Sequence, residues 1–412
     1  MESTKTSKLI VFLFCIFIYP VNLPIPSAIR HMLIYGLPFF YLLFNINLLK
    51  KVTKKQIIIM MLVGILIVFS IIYPFLHSTG DYTYVGISTY VFRKLLIYLA
   101  LICILVRRYK ENVCMEHFLY YYVLTHAIYV LGTICLVGIP GFKNLWFSIF
   151  GEVIESGELL KSYGYAFRIG WQGFAGYRMT LHCTFSCLFV LYLFYSEKSK
   201  LKITCTKFII LYGLCLLGNM FYGRSGLAVT VITNIIAIGI WNRRKWKQIL
   251  LFFIIIIFLF VFLFLLKSNS VISDWIEWIV RPFINLVTTG SFNNYSVNIL
   301  LDSMFVPEWK TLLLGDGFFT YKGHYYMNVD SGIVRNFLFW GILGAVVSYF
   351  TTIYSILEIK KNDKLLCLLM ICVFCIFELK GDVYYEFIAL FLAISFVETI
   401  SEQYFMIQTT EK

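Results

Sequence analysis

The feature that most constrains this chain is a succession of apolar runs of about 15 to 25 residues, the length an α-helix needs to cross the hydrocarbon core of a bilayer. Twelve can be read, over residues 9–23, 32–49, 56–76, 85–106, 118–139, 173–195, 208–222, 227–241, 248–266, 334–357, 365–379 and 383–397. In lipid every backbone polar group must be satisfied within the spanning structure, so only helices and closed barrels cross. The runs are continuous rather than alternating with period two, which excludes a membrane β-barrel. The expected fold class is an all-α polytopic membrane protein with about twelve transmembrane helices, forming a single integral membrane domain over residues 1–412. The first run has no small-residue cleavage site before Pro24, so it reads as a span that stays attached.

Charge supports this reading and sets an orientation. Only 14% of residues are charged and 60% are hydrophobic, against about 25% charged in soluble domains. The net charge of +13 raises nucleic acid as a partner, but the positives sit in short clusters between apolar runs, such as Lys50-Lys51-Val52-Thr53-Lys54-Lys55 and Arg107-Arg108-Tyr109-Lys110. That is how the positive-inside rule writes topology. With both termini cytoplasmic, 21 of the 35 lysines and arginines fall on the inner side. No basic groove with interleaved aromatics is present, so no nucleic acid is expected.

Two segments are left outside, residues 140–172 and a large outward loop, 267–333, before the tenth span. None of the 11 cysteines lies in either, so a disulfide framework is not expected. The loop opens with Trp275, Trp278, Ile279 and Phe283 on one stripe and Asp274, Glu277 and Arg281 opposite, the pattern of an interfacial helix. Glu152, Glu155 and Glu158 read as a solvated helical face, and His126, His182 and Asn219 as hydrogen-bonding groups inside spans. Asp382 and Glu386 remain open between a polar cavity and a pair with Lys380.

Arginine is the informative positive residue. Lysine dominates the inner clusters, whereas Arg168, Arg178, Arg224, Arg281 and Arg335 lie on the outer side or at span ends. A guanidinium offers bidentate binding to phosphate or carboxylate, so the set points to an outward anion site. Snorkelling and loop solubility are the competing explanation for any one of them.

Three local patterns, in order, carry a family resemblance. They are Arg168-Ile169-Gly170 with Gly173 and Gly176, the turn Gly223-Arg224-Ser225-Gly226, and Leu314-Gly315-Asp316-Gly317 followed by Asp330-Ser331-Gly332 and Gly341-Ile342-Leu343-Gly344. With the large loop before span ten, the chain resembles the Wzy-type repeat-unit polymerases of O-antigen and capsular polysaccharide. The related O-antigen ligases share the plan but carry a His-Asn/Ser/Gln pair in that loop. Here the loop's one histidine, His324, precedes Tyr325, which favours polymerase. A lipid-linked glycan flippase is a third reading, disfavoured because polar residues gather outside rather than along a central path.

The resemblance implies a GT-C-like, metal-independent glycosyltransferase of the bacterial cytoplasmic (inner) membrane, with no cofactor. Its substrates would be undecaprenyl-diphosphate-linked oligosaccharides, and a chain-length regulator would be a partner. Such a reaction needs cations on the leaving diphosphate and a base for the acceptor hydroxyl. Arg224 is the first candidate to stabilise the leaving group, with Arg168, Arg178 and Arg335 as further diphosphate ligands. Asp330 is preferred as base and His324 competes; Asp330 as a plain N-cap of the following helix is equally open.

Overall fold

The computed structural model describes residues 2–110, 113–152, 167–241, 300–361 and 363–410, with scattered positions between 273 and 288. The chain runs through α1 (Glu2–Ile18), α2 (Ser27–Phe44, with one π turn over Met32–Gly36), α3 (Lys54–Leu76), α4 (Thr83–Tyr109), α5 (Met115–Gly138) and the short α6 (Phe142–Phe150). A hairpin of β1 (Ile169–Gly170) and β2 (Gly173–Phe174) precedes α7 (Tyr177–Tyr195), α8 (Cys205–Tyr222) and α9 (Arg224–Trp241). Then come α10 (Trp309–Leu314), the hairpin β3 (Thr320–Tyr321) and β4 (His324–Tyr325), α11 (Gly332–Leu357), α12 (Lys364–Lys380) and α13 (Tyr384–Thr410). Among the described residues nine helices are long and apolar enough to cross a membrane. The apolar stretch of α1, Ser7–Ile18, and α12 are shorter. The expected span 248–266 lies outside the described residues, as does most of the interfacial helix expected near residue 275.

Local chemistry explains the helix ends. Thr53 and Gln56 form a reciprocal capping box at the start of α3: the Thr53 hydroxyl accepts from the Gln56 amide at 3.2 Å, and the Gln56 side chain accepts from the Thr53 amide at 2.9 Å. Asp363 caps α12 by accepting from the amides of Leu365 and Leu366. The sixth apolar run does not become helix throughout. Its first residues, Gly173 and Phe174, pair back as β2 onto β1, and α7 begins only at Tyr177.

Packing divides the chain into two compact units, each discontinuous in sequence: residues 1–37 with 114–291, and 38–113 with 292–412. The first is built around α7 and the second around α13, each with 83% of its apolar stretch enclosed by protein. Polar groups enclosed on these helices are hydrogen-bonded to neighbours, as Thr184 is to Asn219 and Glu386 to Tyr90. By contrast α3 has only 28% enclosed. Its buried residues are Gln56, Ile59, Val63, Leu66, Ser70 and Pro74, spaced three or four apart along one stripe, while Met61, Val68 and Phe75 face outward. Lipid is as apolar as these side chains, so packing and interhelical hydrogen bonds hold such helices together rather than the hydrophobic effect.

Candidate functional site

In the first unit, three arginines gather at one end through the way short segments are tied. The Arg168 carbonyl accepts from the Ala175 amide at 2.9 Å, closing the β1–β2 hairpin. That hairpin is anchored by Thr133 of α5, which donates to the Ile169 carbonyl at 2.6 Å and shares a 2.6 Å bond with the Tyr222 hydroxyl at the end of α8. Trp171, in the hairpin turn, packs on Tyr129 and donates its indole N–H to the Tyr19 carbonyl at 2.9 Å. Gly176 then leads into α7, whose first turn carries Arg178, exposed.

The turn Gly223-Arg224-Ser225-Gly226 is tighter than its sequence suggests. The second helix begins at Arg224, so Gly223 alone joins α8 to α9. Close approach to Thr180 of α7 explains the glycines: a Cβ on Gly226 would lie 1.7 Å from the Thr180 methyl, and one on Gly223 2.7 Å from its hydroxyl. Thr180 thus docks the start of α9 against the start of α7. It brings Arg224, half-buried, to the same end of the unit as Arg178 and the half-buried Arg168.

Below this end the polar residues within spans are hydrogen-bonded to one another. The Asn219 side-chain amide donates to Thr230 at 2.9 Å, Thr230 to Thr184 at 3.0 Å, and Thr184 to the Asn219 side-chain oxygen Oδ1 at 3.2 Å. His126 Nδ1 lies 2.7 Å from the Tyr122 carbonyl, which can only accept. Nδ1 therefore carries the proton, and in the neutral ring Nε2 accepts from the Tyr19 hydroxyl at 2.6 Å. The Tyr122 hydroxyl in turn meets His182 Nδ1 at 2.6 Å.

The second unit holds Asp330, His324 and Arg335. Arg335, in the first turn of α11, is buried: it donates from Nε to the Val329 carbonyl at 2.7 Å, lies 3.5 Å from the Asp330 carboxylate, and stacks with its guanidinium carbon 3.5 Å from the Tyr325 ring centre. Asp330 remains 46% exposed, so the pair presents an open carboxylate on a fixed cation. The N-cap of α11 is Ser331, and its side chain caps nothing. Asp330 is therefore an arginine partner and not a helix cap. His324 is exposed on β4, next to the tyrosine that covers Arg335.

Two features position this arrangement. The β3–β4 hairpin hangs on Asp81, in the α3–α4 connection, which accepts from the amides of Phe319 at 2.7 Å and Thr320 at 2.6 Å and from the Thr83 amide and hydroxyl. Burial pushes the Asp81 carboxyl up, but these hydrogen bonds outweigh it and leave the group below its ordinary value. The Gly315-Asp316-Gly317 stretch docks on a kink in α11 at Gly341, whose φ is +62°. The Asp316 amide donates to the Leu338 carbonyl at 2.6 Å, and side chains on Gly315 or Gly341 would collide with the opposing backbone at 2.4 Å. The glycine motif thus builds a backbone joint.

Sequence reasoning passed over Glu378. It is buried near the end of α12 and accepts from Asn336 at 3.0 Å and from the Val383 amide at 2.9 Å, while Tyr84 donates to Asn336 at 2.6 Å. Its signal was present, since it is the one charged residue in the run 365–379 and an ionisable group there is a functional candidate by default. Asp382 and Glu386, left open above, are both buried, and Tyr90 donates to Glu386 at 3.0 Å. Glu152 is half-buried, and Glu155 and Glu158 lie outside the described residues. Among the described residues no group of three or more His, Cys, Asp or Glu is placed to hold a metal ion. Set against known proteins, the chain matches no protein-family model, no curated protein and no solved structure.

Proposed function

We propose that this protein joins lipid-linked oligosaccharide repeat units into a polysaccharide, of O-antigen or capsule type, on the outer face of a bacterial cytoplasmic membrane. In this reading it is a GT-C-like enzyme with twelve spans and both termini inside. The acceptor sugar hydroxyl attacks the anomeric carbon of the chain on undecaprenyl diphosphate. A C–O bond forms as the bond to the diphosphate breaks, and the hydroxyl proton passes to a carboxylate. The leaving diphosphate departs with its carrier.

The observation that carries the reading is the gathering of Arg168, Arg178 and Arg224 at one end of the first unit, on the β1–β2 hairpin and the starts of α7 and α9. Prearranged cations aimed at a leaving group are the usual source of such electrostatic stabilisation. In the second unit Asp330 is the base of choice, an exposed carboxylate on a cation that cannot move far, with His324 as its competitor. Arg335 orients Asp330 in this scheme, and its burial under Tyr325 argues against a role as a diphosphate ligand.

Deleting the gene should leave glycans capped by a single repeat unit instead of a ladder of long chains. A normal ladder would remove the polymerase reading, and loss of even single-unit capping would favour a ligase or flippase. Arg224→Ala and Arg168→Ala, expressed at the wild-type level, should make no long chains. Wild-type chain lengths in both would remove the arginine assignment.

A further inference from the structure

Tyr325 of β4 has one ring face taken and the other open. The Arg335 guanidinium carbon stands over the ring, 3.5 Å from its centre. Phe319 lies 5.6 Å from the Tyr325 centre and 5.7 Å from the guanidinium carbon, and these near-equal distances put it beside the stack, not over the ring. Tyr325 is nevertheless 45% exposed, so solvent reaches the face opposite Arg335. The platform is fixed from below, because Arg335 also donates from Nε to the Val329 carbonyl at 2.7 Å.

The same cation holds a carboxylate beside this ring. Arg335 Nη2 lies 3.5 Å from Asp330, whose side chain is 46% exposed. A flat apolar face and an open acceptor therefore stand one guanidinium apart. The backbone between them takes a costly form: Met327 and Asn328 both have φ of +55°, two consecutive non-glycine residues in the left-handed region. The Met327 side chain is 57% exposed, so its packing does not account for this. Strain of this kind gathers where a site demands a particular geometry.

Chemistry narrows the occupant. A phosphate or an acid would meet the Asp330 charge with no cation to spare, since Arg335 is engaged and Lys322 sits over the Tyr321 ring. An acyl chain would cover the Asp330 carboxylate without offering it a donor, which is costly. A pyranose answers both groups, with a C–H face for the ring and hydroxyls that donate to the carboxylate.

We infer that Tyr325 and Asp330 form a subsite for a neutral oligosaccharide, one pyranose stacked on the open face of Tyr325 and a hydroxyl of the next donating to Asp330. This rests on reading the second unit as the acceptor side of the polymerase, and it sharpens that reading in one respect. Neighbouring strand residues point to opposite faces, so His324, paired with Tyr321, turns away from Tyr325. The hydroxyl on this subsite meets Asp330 and not His324.

The full-length protein in phosphatidylcholine nanodiscs is titrated with neutral oligosaccharides cut by partial acid hydrolysis from the host's own surface polysaccharide, and contact is followed by saturation-transfer NMR. Wild-type protein should transfer most strongly to the C–H protons of one sugar. Tyr325→Leu and Asp330→Asn should each weaken binding roughly tenfold, the scale of one aromatic contact or one charged hydrogen bond. Tyr325→Phe should bind as wild type does. So should Tyr321→Leu, which removes a similarly exposed ring from the other face of the hairpin. If Tyr325→Leu melts early by uncovering Arg335, Asp330→Asn decides. Absence of wild-type binding, unchanged binding in Asp330→Asn, or an equal loss in Tyr321→Leu would overturn the subsite. Transfer from the Tyr325 ring to lipid acyl chains would place the ring in the bilayer and overturn it too. Binding sensitive to both residues, beside a normal glycan ladder in the deletion strain, would uphold the subsite while removing the polymerase; absent binding beside single-unit capping would do the reverse.

Discussion

Arg335 shows how much a single side chain can fix. Its Nε–H, its charge and its flat face are each engaged by a different group, the Val329 carbonyl, Asp330 and Tyr325. Lysine could keep the charge but neither the Nε donor nor the planar stack. We expect Arg335→Lys to cost about 2 kcal/mol, the scale of a desolvated cation–π contact, read as a lower melting temperature in nanodiscs together with shortened glycan chains. Asp81 offers a pH-dependent counterpart. Its folded value is depressed, so its contribution is complete above the unfolded carboxylate value of about 3.9 and is lost as pH falls through the lower folded one. The amides of Phe319 and Thr320 should therefore be protected from hydrogen exchange at neutral pH and lose protection in strong acid. In Asp81→Asn, where one oxygen replaces two acceptors, protection should be weaker at neutral pH and independent of acidification. Unchanged protection in the variant would show that the hairpin does not hang on this carboxylate.

Among the elements, the joint between the Gly315–Gly317 stretch and α11 is the most exacting. Gly341 combines a left-handed φ with backbone on its side-chain face, so alanine meets both strain and collision. Gly341→Ala should destabilise by about 1–3 kcal/mol for the strain alone and shift the β3–β4 hairpin, a change that limited proteolysis of residues 315–330 would detect. The sequence marked these glycines as a motif but gave no clue that they meet. Residues 315 and 341 are 26 apart, and nothing in either run names the other. Helices were legible because the bilayer demands long apolar runs, and the described helices match the expected spans to within a few residues at most ends. The start of α7 was misplaced because Gly173 and Phe174 are apolar enough to join the run, while the pairing that removes them depends on Arg168 and Ala175. The arginine set was readable from its place at span ends, and Glu378 was readable as the one charge in an apolar run, whereas its partner Asn336 lies on α11 and nothing in either run names the other.

Over the whole molecule, each unit surrounds one enclosed helix and each is written in two pieces along the chain. That interleaving has a consequence for synthesis. Tyr90 of α4 finds its acceptor in Glu386, 296 residues later, and the Tyr19 carbonyl waits 152 residues for Trp171. At about 5–20 residues per second, α4 would sit in the membrane for roughly 15 to 60 s with the face meant for α13 still open. Because α13 is the core of the second unit, α4 has to be sheltered by something other than its own fold until that helix has been made.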